Sequence, residues 1–116
     1  MEDRFSQQQK KGVLELLVME LLYDKPSYGY ELLVQLREKS EGRFVLKEGT
    51  LYPILYRLED EGLIEAKWSQ GEGRNMPKKI YQATQRGIEE HRRRRELWLG
   101  FRSCVDGFLA GGKEND

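Results

Sequence analysis

EGTLYPILYRLEDEGLI, residues 48–64, has the pattern of one short amphipathic helix followed by an extended segment. Thr50 is expected to cap the start of the helix through its hydroxyl, with Pro53 in the first turn, where a missing N–H costs nothing. Gly62 suits the left-handed cap at the helix end. Apolar residues recur at three- and four-residue spacing and therefore share one face: Leu51, Ile54, Leu55 and Leu58.

The opposite side of this helix carries aromatic and hydrogen-bonding side chains, namely Tyr52, Tyr56, Arg57 and Asp60. A helix with one apolar, buried face and one aromatic, hydrogen-bonding face is suited to entering a DNA major groove. Two alternatives stay open. The tyrosines could instead pack on the preceding helix, and Arg57 could pair with Glu61 one turn later. We favour DNA contact for both.

The rest of the chain gives an element order that defines a fold class. Helices are expected at about 6–23 and 28–40, with Ser27 capping the second, before the helix described above; strands follow at 64–68 and 79–83, and Thr84 caps a last long helix. A glycine-rich loop at 69–78 joins the strands. We therefore predict a mainly α fold with a small β-hairpin: a winged helix-turn-helix DNA-binding domain over 1–84, a dimerisation helix over 85–110 and a disordered tail over 111–116.

A set of short motifs resembles the PadR family of transcriptional regulators over nearly the whole chain. The motifs are YGYEL at 28–32, GTLYP at 49–53, RLE at 57–59, GLI at 62–64, EGR at 72–74, Tyr81, and Thr84 with Gly87. Each motif alone is weak, but their order and spacing together are specific. The resemblance implies a homodimeric repressor with a winged helix-turn-helix and a C-terminal dimerisation helix.

Candidate DNA contacts surround the third helix. Lys47 and Thr50 stand at its start, where a helix N-terminus favours phosphate, and Tyr30 could add a backbone contact. Basic residues of the wing either contact phosphate or belong to a solvated hairpin; we favour contact. The full set of expected contacts is Tyr30, Lys47, Thr50, Tyr52, Tyr56, Arg57, Arg74, Lys78 and Lys79.

The last helix has a wide apolar stripe that a monomer would leave uncovered. Burial against a second copy of the chain is the natural solution. In multidrug-sensing relatives a tryptophan of this helix helps to sandwich flat aromatic ligands, so Trp98 has two interpretations, effector contact and ordinary interface packing. The expected interface residues are Leu97, Trp98, Phe101, Cys104, Val105, Phe108 and Leu109.

Composition narrows the class of protein. The formal net charge is zero, which is unusual for a DNA-binding protein, but residues 67–95 hold nine basic and three acidic side chains, and local potential governs phosphate contact. One cysteine, no signal peptide and no long apolar run predict a cytoplasmic protein. His91, the single histidine, has no metal-ligating neighbours in the sequence.

We therefore expect a regulator that binds double-stranded DNA as a homodimer and is not an enzyme, because no nucleophile–base set, phosphate loop or metal spacing occurs. No cofactor is expected, and the expected partners are DNA and a second copy of the chain, without a membrane. A small aromatic effector is a further partner under one of the two interpretations of Trp98. A winged-helix adaptor that docks another protein is the alternative from a different class. Retained binding of duplex DNA at moderate salt would separate the two.

Overall fold

The computed structural model describes residues 3–71, 73 and 76–111. Within these ranges four helices pack around a small sheet in the order α1 (Arg4–Asp24), β1 (Ser27–Tyr28), α2 (Gly29–Lys39), α3 (Glu48–Asp60), β2 (Ile64–Trp68), β3 (Lys79–Ala83) and α4 (Gln85–Ala110). The expected DNA contact Arg74 and, apart from Gly111, the expected disordered tail lie outside the described residues.

The sheet is antiparallel and has the strand order β1-β3-β2. β2 and β3 form the predicted hairpin, in which Ala66 pairs with Tyr81 and Trp68 pairs with Lys79. The fold class is therefore confirmed, with one addition: Ser27 and Tyr28 form a third strand on the other edge of β3. Two residues are too few to show a period of two, so this strand had no signature in the sequence.

The hydrophobic core lies where α1, α2 and α3 meet the inner face of the sheet. Leu32 of α2 and Tyr81 of β3 are completely or almost completely buried. The predicted inner face of α3 is confirmed, because its four apolar residues are all buried. Burying one such aliphatic side chain contributes about 1.5–3 kcal/mol, so this face fixes the rotation of α3 about its axis.

The start of α3 differs from the expectation. Lys47 is the N-cap and makes no side-chain capping bond, while Thr50 lies in the first turn. The N–H of Leu51 donates to the Lys47 carbonyl at 3.1 Å, so helical hydrogen bonding begins before Thr50 could act as a cap. Pro53 consequently lies inside the helix, where it has no N–H to give to the carbonyl of Gly49.

The expected cap of α2 is also wrong. Ser27 belongs to β1, and Tyr28 is the N-cap of α2. The backbone N–H of Tyr28 donates to the Glu31 carboxylate at 3.1 Å. This bond satisfies one of the backbone donors that a helix start leaves free, so no hydroxyl from residue 27 is needed.

The junction between α3 and α4 follows the sequence expectation. Gly62 ends the α3 turn with φ of +76°, a conformation that favours glycine. Thr84 caps α4 by accepting a hydrogen bond from the Gly87 N–H at 3.0 Å, and its hydroxyl donates to the Gly62 carbonyl at 2.7 Å. A Cβ at Gly87 would collide with the Leu63 carbonyl, so the close approach of α4 to Leu63 requires glycine at position 87.

The second half of α4 projects from the core. The last buried residue of α4 is His91. The radius of gyration of 17.1 Å exceeds the value of about 13 Å that a compact domain of this length would have. α4 is therefore an arm, and neither it nor another helix in the described ranges is long and apolar enough to cross a bilayer.

Candidate nucleic-acid interface

α2, α3 and the β2–β3 hairpin enclose an open cleft of about 670 Å³. We call it the tyrosine–lysine cleft. Several residues that the sequence marked as DNA contacts come together here, beside others that it did not mark. The cleft is lined by Tyr28, Gly29, Tyr30, Glu48, Tyr52, Tyr56, Trp68, Lys78, Lys79 and Tyr81.

Both lysines of the cleft lie over tyrosine rings. The Lys78 ammonium is 4.4 Å from the centroid of the Tyr28 ring. The Lys79 ammonium is 5.3 Å from the Tyr81 ring and 5.7 Å from the Tyr56 ring. Cations prefer such positions because the faces of aromatic rings are electron-rich, so the two charges are kept at the wall of the cleft.

Lys79 has a second, ionic partner. Its ammonium lies 4.0 Å from the Glu59 carboxylate. Burial alone would lower the pKa of Lys79, but Tyr81 and Glu59 together raise the pKa above its ordinary value. Lys79 therefore stays fully charged at neutral pH and can serve as a permanent cation in the cleft.

Tyr81 forms the floor of the cleft. Its side chain is almost completely buried, and its hydroxyl has no hydrogen-bond partner of standard geometry among the described residues. Burial raises the pKa of the phenol, and the nearby Lys79 charge opposes that shift. Tyr81 is therefore a neutral core residue whose ring lies 5.3 Å from the Lys79 ammonium.

The two tyrosines of α3 have different environments. Tyr52 is partly buried against the core, and a Cβ at Gly29 would collide with its hydroxyl. This matches the packing alternative, and it explains why glycine stands at 29. Tyr56 remains 51% exposed, with its ring centroid 6.0 Å from that of Tyr52. Of the two, Tyr56 offers more surface to a partner.

Arg57 lies on a different edge of α3. Its guanidinium pairs with Glu15 of α1 at 2.8 Å, so the alternative in which Arg57 pairs with Glu61 is wrong. Glu61 lies instead 3.5 Å from Arg94. Arg57 and Thr50 line a second groove, of about 490 Å³, together with basic side chains of α1. α3 therefore presents two edges, the tyrosine–lysine cleft on one side and this groove on the other.

Tyr28 and Trp68 also line the cleft but were not identified from the sequence as contacts; Tyr28 is half-buried and Trp68 is exposed. Tyr30, which the sequence did identify as a contact, is 67% exposed at the start of α2. The ring of Tyr28, two positions earlier, lies under the Lys78 ammonium. Trp68, at the end of β2, is 69% exposed. The alternation in β2 could have marked Trp68, because Ile64, Ala66 and Trp68 share one face of a strand, and the first two turn toward the core.

The apolar stripe of α4 is exposed in the single chain. Phe108 is 80% exposed, and Cys104 is a free, exposed thiol rather than a core residue of the monomer. Trp98 is half-buried. Together with Phe101, Val13 and Phe44 it lines an open cleft of about 850 Å³ between α1 and α4.

The contacts of His91 indicate a structural role. It is buried, and its Nε2 lies 2.8 Å from the Glu20 carboxylate, while its ring packs 5.5 Å from that of Tyr23. The described ranges contain no cluster of three histidine, cysteine or acidic side chains that could hold a metal ion. His91 thus joins α4 to α1.

A three-helix core with a β-hairpin beside its exposed third helix defines a winged-helix protein. The model of the Transcriptional regulator PadR-like family matches residues 18–93. The chain therefore belongs to the PadR-like family of transcriptional regulators, which is not a family of enzymes.

Solved structures and a curated relative agree with this assignment. A PadR-like transcriptional regulator from Bacillus cereus is 31% identical and superposes with a TM-score of 0.78 over 90% of this chain and 98% of that one. A transcriptional regulator from Clostridium thermocellum is 27% identical with a TM-score of 0.78, over 88% and 98%. The transcriptional regulator YqjI of Escherichia coli is 29% identical over 74% of this chain, which spans only 41% of that protein.

Proposed function

We propose that this regulator binds double-stranded DNA as a homodimer, at a palindromic operator, and represses transcription there. The observation that carries the proposal is the convergence of Tyr30, Tyr56, Lys78 and Lys79 on one surface beside α3. These side chains come from three different elements. Their common location supports a shared partner, and lysines with hydroxyl-bearing aromatics suit a phosphate backbone.

α3 has the properties of a helix that enters the major groove. Its exposed side carries Gly49, where a Cβ would meet open space, so the first turn allows close approach of a phosphate. Lys47 and Thr50 flank the positive end of the helix dipole. We propose that Lys47 and Thr50 contact phosphate. Tyr52 and Tyr56 contact DNA from the side of the helix that faces the cleft, and Arg57 contacts it from the side that faces the second groove.

The hairpin acts as the wing in this proposal. Lys78 and Lys79 supply its backbone contacts, and Arg74 extends the same basic segment in the sequence. Phosphate contacts position a protein on DNA without selecting a sequence. We therefore assign affinity to the hairpin and base recognition to α3.

The exposed stripe of α4 supports the homodimer. A soluble chain rarely leaves so many large apolar side chains uncovered along one arm, and two such arms related by a twofold axis would cover each other. The twofold axis would also present two α3 helices to DNA, about one helical turn apart. A palindromic operator follows from that symmetry.

Footprinting on the DNA upstream of the protein's own gene tests the proposal. We expect two protected half-sites related by inverted symmetry, with centres about one helical turn apart, and lower output of a reporter when the protein is present. Duplex binding without inverted half-sites would contradict the palindromic operator. Lack of binding at moderate salt would favour the winged-helix adaptor instead.

The cleft between α1 and α4 supports a second role, the binding of an aromatic effector next to Trp98. The indole is half-buried there, beside Phe101, which leaves a ring face for a planar ligand. Titration with ethidium in the absence of DNA is a direct probe. We expect saturable quenching of tryptophan emission that Trp98→Ala removes; equal quenching in wild type and variant would contradict it.

A further inference from the structure

Trp68 is an apolar residue on the core-facing side of the sheet. Its side chain lies past the point at which the core ends. It pairs with Lys79 across the hairpin. Since β-strand side chains alternate, Trp68 shares its sheet face with Ile64 and Tyr81. Those two are 2% and 1% exposed, whereas Trp68 is 69% exposed. The strand pattern that buries Ile64 thus continues past the end of the core and leaves an indole in solvent.

An exposed tryptophan at this position contributes little to folding. An indole buries about 150–250 Å² when it is covered, and most of that area is uncovered here. A polar side chain would avoid the unfavourable hydration of an exposed ring. The exposure is therefore better explained by a partner than by stability of the chain.

The surroundings of Trp68 define the chemistry of that partner. The indole forms one wall of the tyrosine–lysine cleft. Across the hairpin, Lys79 is held between two tyrosine rings, and Lys78 is held over Tyr28. A flat apolar ring beside two fixed cations matches a chain in which anionic and weakly polar groups alternate. The DNA backbone is such a chain, because each phosphate is followed by a deoxyribose.

We infer that Trp68 is a DNA-contacting residue, whose indole packs on a deoxyribose of the backbone while Lys78 and Lys79 bind the flanking phosphates. The inference rests on the proposed function, since it names a further contact in the same DNA surface. It assigns the cleft one backbone strand rather than a protein segment, because a protein partner with a matching apolar group would not require the paired cations.

Three variants measured with one duplex test the role of Trp68. The probe is a fluorescein-labelled, mixed-sequence duplex of about three helical turns, because a backbone contact does not depend on an operator. Trp68→Ala should weaken binding about three- to tenfold at low salt, and Trp68→Phe, which keeps a flat ring, should bind within about twofold of wild type. Lys67→Ala is the control, since Lys67 is the neighbour on the other sheet face.

A second measurement separates contact from a general effect on the hairpin. Acrylamide quenching of tryptophan emission is recorded with and without the same duplex, for wild type and Trp68→Phe. We expect DNA to reduce the quenching of wild type, and the difference to disappear in Trp68→Phe. Unchanged accessibility of Trp68 in a chain that still binds DNA would overturn this inference and leave the proposed function standing. Absence of duplex binding by wild type would overturn both.

Discussion

The Arg57 guanidinium of α3 donates two hydrogen bonds to one carboxylate oxygen of Glu15 in α1, from Nε at 3.2 Å and from Nη2 at 2.8 Å. The other oxygen of Glu15 accepts a hydrogen bond from Arg94 of α4 at 2.9 Å. One carboxylate therefore joins three helices. Nη1 of Arg57 makes no hydrogen bond to the described part of the chain, so Arg57 can keep Glu15 and still offer a donor to DNA.

We predict that Arg57→Ala weakens operator binding by about 1–3 kcal/mol and relaxes sequence preference at one symmetric pair of positions, because the variant cannot bind a base edge in either half-site. The free energy of unfolding should change by less than about 1 kcal/mol, since exposed ion pairs contribute little. Binding to a panel of single-position operator variants measures the first effect, and urea unfolding measures the second.

Arg93→Ala is the matched control for Arg57→Ala. Arg93 is an exposed arginine of α4 that is paired with Glu90 at 2.7 Å, so the variant loses the same charge away from α3. Operator affinity should stay close to wild type. Equal losses in the two variants would show that only total charge matters. If Arg57→Ala lowers the affinity for operator DNA and for random-sequence DNA equally, Arg57 contacts phosphate and not a base.

We predict that replacing Lys78 and Lys79 together with alanine weakens binding to all sequences alike. The logarithmic dependence of affinity on salt should flatten by about one unit for each phosphate that the hairpin no longer binds. Lys67→Ala, which removes a cation of the hairpin that does not line the tyrosine–lysine cleft, should leave the slope unchanged. A double variant with the wild-type slope would mean that the wing does not touch the DNA backbone.

We predict that the α4 stripe holds the dimer together. Replacing Phe101 and Phe108 with glutamate should give a monomer in sedimentation equilibrium, because an uncompensated charge cannot be buried in an apolar interface. The fold should survive, since both side chains are exposed in the single chain. Met76→Glu changes an equally exposed apolar residue of the hairpin loop and should stay dimeric. A dimeric Phe101/Phe108 variant would place the interface elsewhere.

We predict that Glu90 stabilises the protein at neutral pH but not in strong acid. Hydrogen bonds from Arg93 and Arg94 lower its pKa to about 2, whereas the unfolded value is about 4.3. A lowered folded-state pKa gives stability that is present above the unfolded pKa and is lost as the pH falls through the folded pKa. The contribution therefore declines between about pH 5 and pH 2.

Thermal unfolding of Glu90→Gln against wild type measures this contribution. The variant should melt at a lower temperature at pH 7, and the two melting temperatures should converge toward pH 2. Glu89→Gln is the control, because Glu89 is exposed and bonds only weakly, at 3.4 Å, to Gln85. A gap that stays constant down to pH 2 would contradict the assignment.

The elements that the sequence predicted best were those with long periodic patterns or distinctive caps. The four apolar residues of α3 fix its inner face, and Thr84 caps α4 as expected, because these signals are local. The start of α3 was misplaced because Thr50 is a good capping residue, yet backbone hydrogen bonds to Lys47 already form a turn before it. The backbone hydrogen bonds to Lys47, rather than the capping preference of Thr50, therefore define where the helix begins.

The candidate site was only partly visible in the sequence. Tyr52 and Tyr56 are four residues apart, and a pattern places them on one side of α3, but it does not tell which one packs on Gly29. The partner of Arg57 could not be found from spacing, because Glu15 lies 42 positions earlier in the chain. The alternation in β2 places Trp68 on the same strand face as Ile64, but only the structure shows that Ile64 is buried and Trp68 is exposed.

We propose that DNA lies against the tyrosine–lysine cleft and the exposed side of α3. Amide chemical shifts of the ¹⁵N-labelled protein, recorded during titration with a duplex from its own upstream region, test it most directly. We expect the largest changes at Tyr30, Tyr56, Trp68, Lys78 and Lys79. Little change is expected along a separate groove between α1 and α2, which is lined by Glu20 and Gln35 among others. Shifts that concentrate in that groove, with the cleft unchanged, would contradict the account.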